Sequence, residues 1–261
     1  MRKYRKYVHG VFLVLRTEIL GIGVDCVTNE EALKFVLDTI KENKRENKII
    51  VTPNPEMIIG AKKDSEFSNV LKSADLVIPD GIGVVMASKL NKIKIKERVP
   101  GCDFTLSIFD KIKFREGTVY ILGAGPGVAK KAKENMERKY PGLRIVGYHD
   151  GFFDEIEEKS IIKEIESLKP DVLLVGLGFP KQEKWIYRNK ALPVNLSIAI
   201  GGSIDVMAGT VKRAPEIFQK LGLEWFYRLI KQPSRFFRML AIPRFIGAVI
   251  CEKIKSPFKR R

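Results

Sequence analysis

The stretch Ala74-Asp75-Leu76-Val77-Ile78-Pro79-Asp80-Gly81-Ile82-Gly83-Val84-Val85 decides how this chain folds. Leu76 to Ile78 is a short apolar run with β-branched character, the pattern of a buried strand. Pro79 can neither donate to a ladder nor extend a helix, so the strand stops there. Gly81 and Gly83 loosen the backbone, and Val84 to Leu90 has helix-compatible composition. Asp80 therefore stands on a strand-to-helix turn at the carboxyl end of what reads as a parallel strand. Open α/β sheets bind their ligands along that edge. The same position suits an N-cap aspartate, and this stretch alone leaves both roles open.

The pattern repeats in both directions. Ile19 to Val27 reads as a strand, and Asn29-Glu30-Glu31 caps a helix running through Ala32, Leu33, Val36, Leu37 and Ile40. Lys48 to Thr52 is a strand that ends in Thr52-Pro53-Asn54-Pro55-Glu56, where two prolines force a turn before the next helix. Asp64 to Ser73 is a helix leading back to the Asp80 strand. On the other side, Glu97-Arg98-Val99-Pro100-Gly101-Cys102-Asp103 is a loop, followed by a helix from Phe104 to Ile112. Strands then fall at Thr118–Leu122, Leu143–Tyr148, Asp171–Gly176 and Leu196–Ile200, with helices between them. Such alternation predicts βαβ units, hence an α/β fold with a Rossmann-like, mostly parallel sheet covered by helices. One domain is expected over residues 17–210.

Both ends differ from this body. The 261 residues carry a net charge of +16, with 45% hydrophobic and 30% charged residues, the composition of a globular protein. Residues 1–16 hold five Lys/Arg and no acid, and residues 212–261 hold thirteen Lys/Arg against three Glu. The body between is close to neutral, so the basic ends are expected to touch an anionic surface. Residues 1–16 read as an extension outside the fold. The apolar run Val11 to Leu15 is too short for a signal peptide, and Ile242 to Cys251 is too short to span a bilayer. Cys26, Cys102 and Cys251 are far apart and odd in number, which fits a reducing compartment. With only two histidines, a His-rich metal site is not available.

Residues 211–261 carry helix signals and no strand. On a helical wheel Trp225, Leu229, Phe236, Leu240, Phe226, Phe237, Ile230 and Leu223 share an arc of roughly 160°, opposite Arg228, Lys231, Arg235 and Arg238. Pro233 predicts two short helices rather than one. An aromatic face beside a cationic one is the composition of a helix lying on anionic lipid, and equally of a helix docked on the body.

Several turns carry residues able to do chemistry. Gly123-Ala124-Gly125-Pro126-Gly127 follows a strand and would offer backbone N–H groups to a phosphate. The third glycine is misplaced for a dinucleotide fingerprint, so a dinucleotide is not required. Thr52, Asn54, Gln182 and Asp205 also fall on strand-to-helix turns, and Arg98 follows the Asp80 helix. Each alone is more often a cap than a ligand contact. Together they supply one candidate base, one fixed cation and several neutral hydrogen-bonders, which suits transfer of a group from an anionic leaving group. No Asp-x-Asp occurs, so the usual diphosphate-chelating pair is missing and no divalent metal or other cofactor is expected. Arg98, helix N-termini or the C-terminal arginines would then steady a leaving phosphate.

Six segments taken in order, Thr52–Glu56, Ile78–Val84, Glu97–Asp103, Gly176–Trp185, Gly201–Asp205 and Lys212–Pro215, resemble the successive motifs of the WecG/TagA/CpsF glycosyltransferases. The resemblance covers about residues 19–245 and is closest to the members that build the linkage unit of wall teichoic acid. It implies inverting, metal-independent transfer of N-acetylmannosamine from its UDP donor to undecaprenyl-diphosphate-linked N-acetylglucosamine, giving a β-1,4 product. Asp80 matches the general base of the family. Thr52, Asn54, Arg98 and Gln182 match its pocket positions, and Asp205 a position near the nucleotide. Arg228, Arg235 and Arg238 match basic positions of a C-terminal appendage that closes over the site at the membrane. The resemblance further implies a peripheral protein on the cytoplasmic membrane face, with no nucleic-acid partner, forming a dimer or trimer in solution. Phe152 departs from the tyrosine of close relatives, and the basic segment before Thr17 has no counterpart. Members of the family also move N-acetylmannosaminuronic acid or hexoses, and nothing local to the sequence fixes the sugar. A different class of protein, a non-catalytic nucleotide- or RNA-binding α/β protein with basic tails, would also account for the charge distribution.

Overall fold

The structure, a computed structural model, describes residues 4–7, 12–114, 117–231, 233 and 236–255. Its centre is a six-stranded, wholly parallel sheet built from β4 (Lys48–Val51), β5 (Leu76–Val77), β6 (Thr118–Gly123), β7 (Arg144–His149), β8 (Val172–Gly176) and β9 (Leu196–Ala199). Their spatial order is β5-β4-β9-β8-β6-β7. The α/β fold with a parallel, helix-covered sheet is the one expected from the alternation.

The sheet is apolar on both faces, so side chains sort by the two-residue period of a strand. Ile50, Ile198, Leu174 and Ile121 face one way. There they pack with α1 (Asn29–Glu42), α5 (Gly101–Ile112), α6 (Val128–Lys139) and α9 (Ser203–Met207) through Val36, Phe104, Ile108, Ala132 and Ile204. Val51, Ala199, Val175 and Leu122 face the other way. They meet α2 (Pro55–Ala61), α3 (Ser65–Ser73), α4 (Ile82–Ser88), α7 (Glu155–Leu168) and α8 (Lys181–Arg188) through Ile58, Phe67, Val84, Ile165 and Trp185.

Ile19 to Val27, expected as one strand, is two. β2 (Phe12–Ile19) turns at Leu20 and Gly21 into β3 (Ile22–Asp25), and both turn residues have positive φ, 51° and 84°. That is the backbone of a tight type I′ hairpin, whose twist matches its strands. An apolar leucine in the turn hid it from the sequence pattern. β1 (Tyr4–Tyr7) pairs with β2, so strand structure begins within the basic stretch 1–16 and runs across position 17. Arg16 grips the fully buried Asp25 with two hydrogen bonds of 2.8 and 2.9 Å. Asp25 in turn accepts from the backbone N–H of Val77 at 2.8 Å, which fixes β5 and hence the loop leading to Asp80.

After α9 the regular elements among the described residues are helices: α10 (Glu216–Lys220), α11 (Glu224–Lys231), α12 (Phe236–Met239) and α13 (Ala241–Lys255). The break between α11 and α12 falls around Pro233, as its ring requires. The appendage is docked as well as amphipathic. Phe245 and Val249 of α13 are buried in the second core, and Phe245 reaches Gly83 at the start of α4. Phe226, Ile230, Phe236 and Phe237, four of the eight expected apolar positions, stay exposed. No helix among the described residues is long and apolar enough to cross a membrane.

Candidate active site

Because all six strands are parallel, their carboxyl ends share one edge, and every strand-to-helix turn singled out in the sequence opens there. Asp80 follows β5, Thr52 and Asn54 follow β4, Gly201 follows β9, Gln182 follows β8 and Gly125 follows β6. These turns are neighbours in space although up to 149 residues apart in sequence.

Asp80 is half-buried on the loop between β5 and α4. The N-cap of α4 is Gly81, with φ −84° and no side-chain cap, so the helix start is assigned to the glycine. A Cβ on Gly81 would meet Pro55 at 2.7 Å and Asn54 at 3.5 Å, so the Asp80 and Asn54 turns lie against each other. Asn54 is the N-cap of α2, its Oδ1 accepting from Met57 N–H at 3.0 Å. That bond fixes the amide and leaves Nδ2 as the group able to face a ligand. Thr52 is buried; its hydroxyl donates to the Ala199 carbonyl at a long 3.5 Å, beside the N-terminus of α5 at Gly101. Val99 N–H donates to the Pro79 carbonyl at 2.9 Å, clamping the Arg98 loop onto the Asp80 loop. Arg98 itself pairs with Glu224 of α11 at 2.7 Å and donates to the Gln219 carbonyl at 3.4 Å.

Gln182 sits in the first turn of α8, a helix braced against α3 by Lys184, which bonds Asp64 at 2.7 Å and Glu66 at 2.6 Å. Its buried amide bridges two elements. Oε1 accepts from Gly201 N–H at 3.1 Å and Nε2 donates to Glu183 at 2.7 Å.

Next to this cluster a cleft of about 670 Å³ opens where β6 and β8 lie side by side. The chain leaves β6 toward β7 and leaves β8 toward β9, so the crossovers diverge and part the loops above the edge, as at a topological switch point. The strands approach so closely that a Cβ on Gly123, whose φ is +138°, would lie 2.4 Å from the Gly176 carbonyl. Gly125, Phe152, Phe153, Lys181, Asp205 and Glu157 line the cleft. Lys181 brings its ammonium 5.3 Å from the centre of the Phe153 ring. Among the described residues no three His, Cys, Asp or Glu side chains gather as a metal site would require.

The structure thus places Asp80, Thr52, Asn54, Arg98 and Gln182 on one stretch of the edge, and Gly123, Gly125 and Asp205 in or beside the adjoining cleft. Arg238 forks onto Glu56 in the first turn of α2 at 2.8 and 3.1 Å, two residues from Asn54, and so ties α12 to the body beside that edge. Arg228 lies on α11 with its side chain outside the described residues, and Arg235 is outside them altogether. Lys181, Glu183 and Glu224 were not singled out from the sequence. The first two sit in the Gly176–Trp185 motif, where Lys181-Gln182-Glu183-Lys184 has the composition of a polar helix start.

A family model described as the glycosyl transferase WecG/TagA/CpsF family matches residues 17–259, the family the six motifs resemble. The chain is 38% identical over 225 residues to N-acetylglucosaminyldiphosphoundecaprenol N-acetyl-beta-D-mannosaminyltransferase of Bacillus spizizenii (strain ATCC 23059 / NRRL B-14472 / W23), covering 85% of this chain and 87% of the relative. It is 39% identical over 207 residues to the protein of that name from Bacillus subtilis (strain 168), covering 78% and 80%. The protein of that name from Staphylococcus aureus (strain MRSA252) is 32% identical over 241 residues, covering 92% and 94%.

Proposed function

Since this chain belongs to the WecG/TagA/CpsF family of glycosyltransferases, we propose that it transfers N-acetylmannosamine from a UDP donor to N-acetylglucosamine on undecaprenyl diphosphate. The observation that carries the reading is the joint opening of the Asp80, Asn54, Thr52 and Gln182 turns on one sheet edge, next to a cleft of nucleotide size.

The cleft between β6 and β8 takes the nucleotide. The backbone at Gly125 faces the diphosphate, Asp205 and Glu157 offer acceptors for ribose hydroxyls, and the Phe152 and Phe153 rings offer faces for a base. Asp80 acts as the general base. It takes the proton of the acceptor's 4-hydroxyl as that oxygen bonds to the anomeric carbon of the donor sugar. The bond from that carbon to the phosphate oxygen breaks, its electron pair leaves on UDP, and the configuration inverts. Arg98 stabilises the phosphate charge with the guanidinium N–H groups that Glu224 and Gln219 leave over. Thr52, Asn54 Nδ2 and Gln182 position the sugars, and no metal enters the step. Arg228, Arg235 and Arg238 belong to an appendage that, with its exposed aromatic face, seats the enzyme on the inner face of the membrane. The product would be an early intermediate of a wall teichoic acid or related surface polymer.

The test is a panel of UDP-sugars offered with one prenyl-diphosphate-N-acetylglucosamine analogue, run with and without EDTA. Turnover confined to UDP-N-acetylmannosamine and unaffected by EDTA is expected. No product from any donor would end the reading, and a different productive sugar would correct the donor.

A further inference from the structure

Gln182 is held by two partners of opposite kind. Gly201 N–H can only donate, and it meets Oε1 at 3.1 Å. Glu183 Oε1 accepts from Nε2 at 2.7 Å, whether its carboxyl is ionised or carries a proton on the other oxygen. Rotating the amide by half a turn would set nitrogen against the Gly201 N–H in either state, losing that bond. With an ionised Glu183 it would also set oxygen against the carboxylate and lose the second. The amide is therefore locked in one orientation, with its second N–H left to donate.

Glu183 is an unusual residue to find in that role. It is fully buried, and among the described residues its Oε2 has no hydrogen-bond partner. A buried carboxyl with one orphaned oxygen is a net liability to folding. It belongs to α8, whose Trp185 and Ile186 form core, so an apolar side chain at position 183 would satisfy packing better. What a carboxyl supplies there and an apolar residue cannot is the acceptor for Gln182.

The geometry points to Glu183 as a positioning residue that keeps Gln182 an obligate hydrogen-bond donor to an acceptor oxygen of the substrate. The inference rests on the proposed placement of Gln182 in the sugar site. A substrate recognised this way carries a carbonyl, hydroxyl or phosphate oxygen at that point, since a group that only donates would meet Nε2–H head-on.

The experiment compares Q182A, E183M, E183D, E183Q and the double variant Q182A/E183M for transfer and for melting temperature at pH 7.5. E183M removes the acceptor at similar volume. It is expected to lose about tenfold or more in kcat/KM, the scale of one hydrogen bond, while melting no lower than wild type. A merely structural role would make activity follow stability instead. E183Q, which keeps an acceptor oxygen, restores most of the loss. The double variant falls no further than Q182A, because both act through one amide. E183D keeps the charge but withdraws the oxygen by one methylene, and carries the test if E183M does not fold; it too should lose about tenfold. Wild-type turnover in folded E183M or E183D, with Q182A impaired, would overturn the role of Glu183. A fully active Q182A would instead remove Gln182 from the site.

Discussion

Arg98 and Glu224 meet at 2.7 Å across the join between the catalytic edge and the C-terminal helices, with both side chains largely buried. The bond engages one guanidinium nitrogen, and a second donates to the Gln219 carbonyl at 3.4 Å. A planar fork with five donors can serve these partners and still reach a phosphate oxygen; an ammonium on a flexible stem cannot hold all three in fixed directions. Arg98→Lys is therefore expected to cut kcat/KM by about a hundredfold, the upper range for a charged hydrogen bond. Glu224→Gln, which keeps an acceptor, should cost about tenfold or less. Steady-state kinetics with the lipid-linked acceptor decides, and a fully active lysine variant would mean that a point charge suffices.

Asp80→Asn tests the base directly. The amide has the shape of the carboxylate but cannot take the hydroxyl proton. Transfer should fall by about 10²- to 10⁴-fold, the usual contribution of a positioned base. UDP affinity by calorimetry should stay within about twofold, because the cleft proposed for the nucleotide lies over β6 and β8 and Asp80 over β5. Substantial transfer by the asparagine variant would pass the role to another group.

Lys181 is the one cation among the residues lining that cleft, where Asp154, Glu157 and Asp205 are the acids. Three carboxylates beside an incoming diphosphate make its charge matter. Lys181→Met keeps the stem over Phe153 but removes the ammonium, and should weaken UDP binding by about tenfold while leaving the acceptor KM unchanged. Equal binding of UDP by wild type and variant would exclude a phosphate contact.

How much of this was legible in the sequence depends on the range of the interaction. β4, β8 and β9 are apolar on both faces, so their runs stand out, and the capping signal at Thr28–Glu31 marks α1 one residue earlier than Asn29. The turns that gather at the edge could be named because a parallel sheet places every strand end on one side. Asn54 proved to be a cap as well as a site candidate, which no spacing argument separates. The partners of Arg98 could not be read at all, since Glu224 is 126 residues away. The burial of Glu183 was equally hidden, because Lys181-Gln182-Glu183-Lys184 has the composition of a solvated helix start. In the appendage the wheel collected the aromatic residues of α11 and α12, whereas Phe245 and Val249, which enter the core, lie on α13. Pro243 stands in the first turn of that helix, where a proline costs no hydrogen bond.

Glu183 also makes stability depend on pH. Burial pushes its carboxyl from 4.5 up to about 7, against the smaller opposing pull of the Gln182 hydrogen bond. Between these values the unfolded chain has released the proton and the folded chain still holds it. Stability is therefore full below the unfolded value, falls as pH rises through the window, and levels off above about 7. Integrated over the window the loss is about 3 kcal/mol. Glu183→Gln cannot titrate, so its melting temperature should match wild type near pH 4.5 and exceed it near pH 8. Parallel curves for the two proteins across that range would show that the carboxyl does not titrate there.

The proposed membrane attachment has to be tested apart from folding, because the C-terminal helices also contribute to the core. Deleting residues 212–261 would strip Phe245 and Val249 from the core, and losing a buried phenylalanine alone costs about 3–5 kcal/mol. A truncated protein that failed to bind vesicles would therefore prove little. The exposed set is the better target: Phe226, Ile230, Phe236 and Phe237 stand free of the core, Phe237 with 79% of its surface open. Replacing all four by serine should lower the melting temperature by less than the loss of Phe245 would, since each of the four keeps 42% or more of its surface exposed whereas Phe245 is fully buried. Flotation with vesicles containing anionic lipid should be lost, because these rings supply the apolar area that an interfacial helix inserts. Adding salt to the unmodified protein should weaken flotation only in part, as charge screening spares the apolar contribution. Undiminished flotation of the four-serine variant would place the membrane contact elsewhere on the chain.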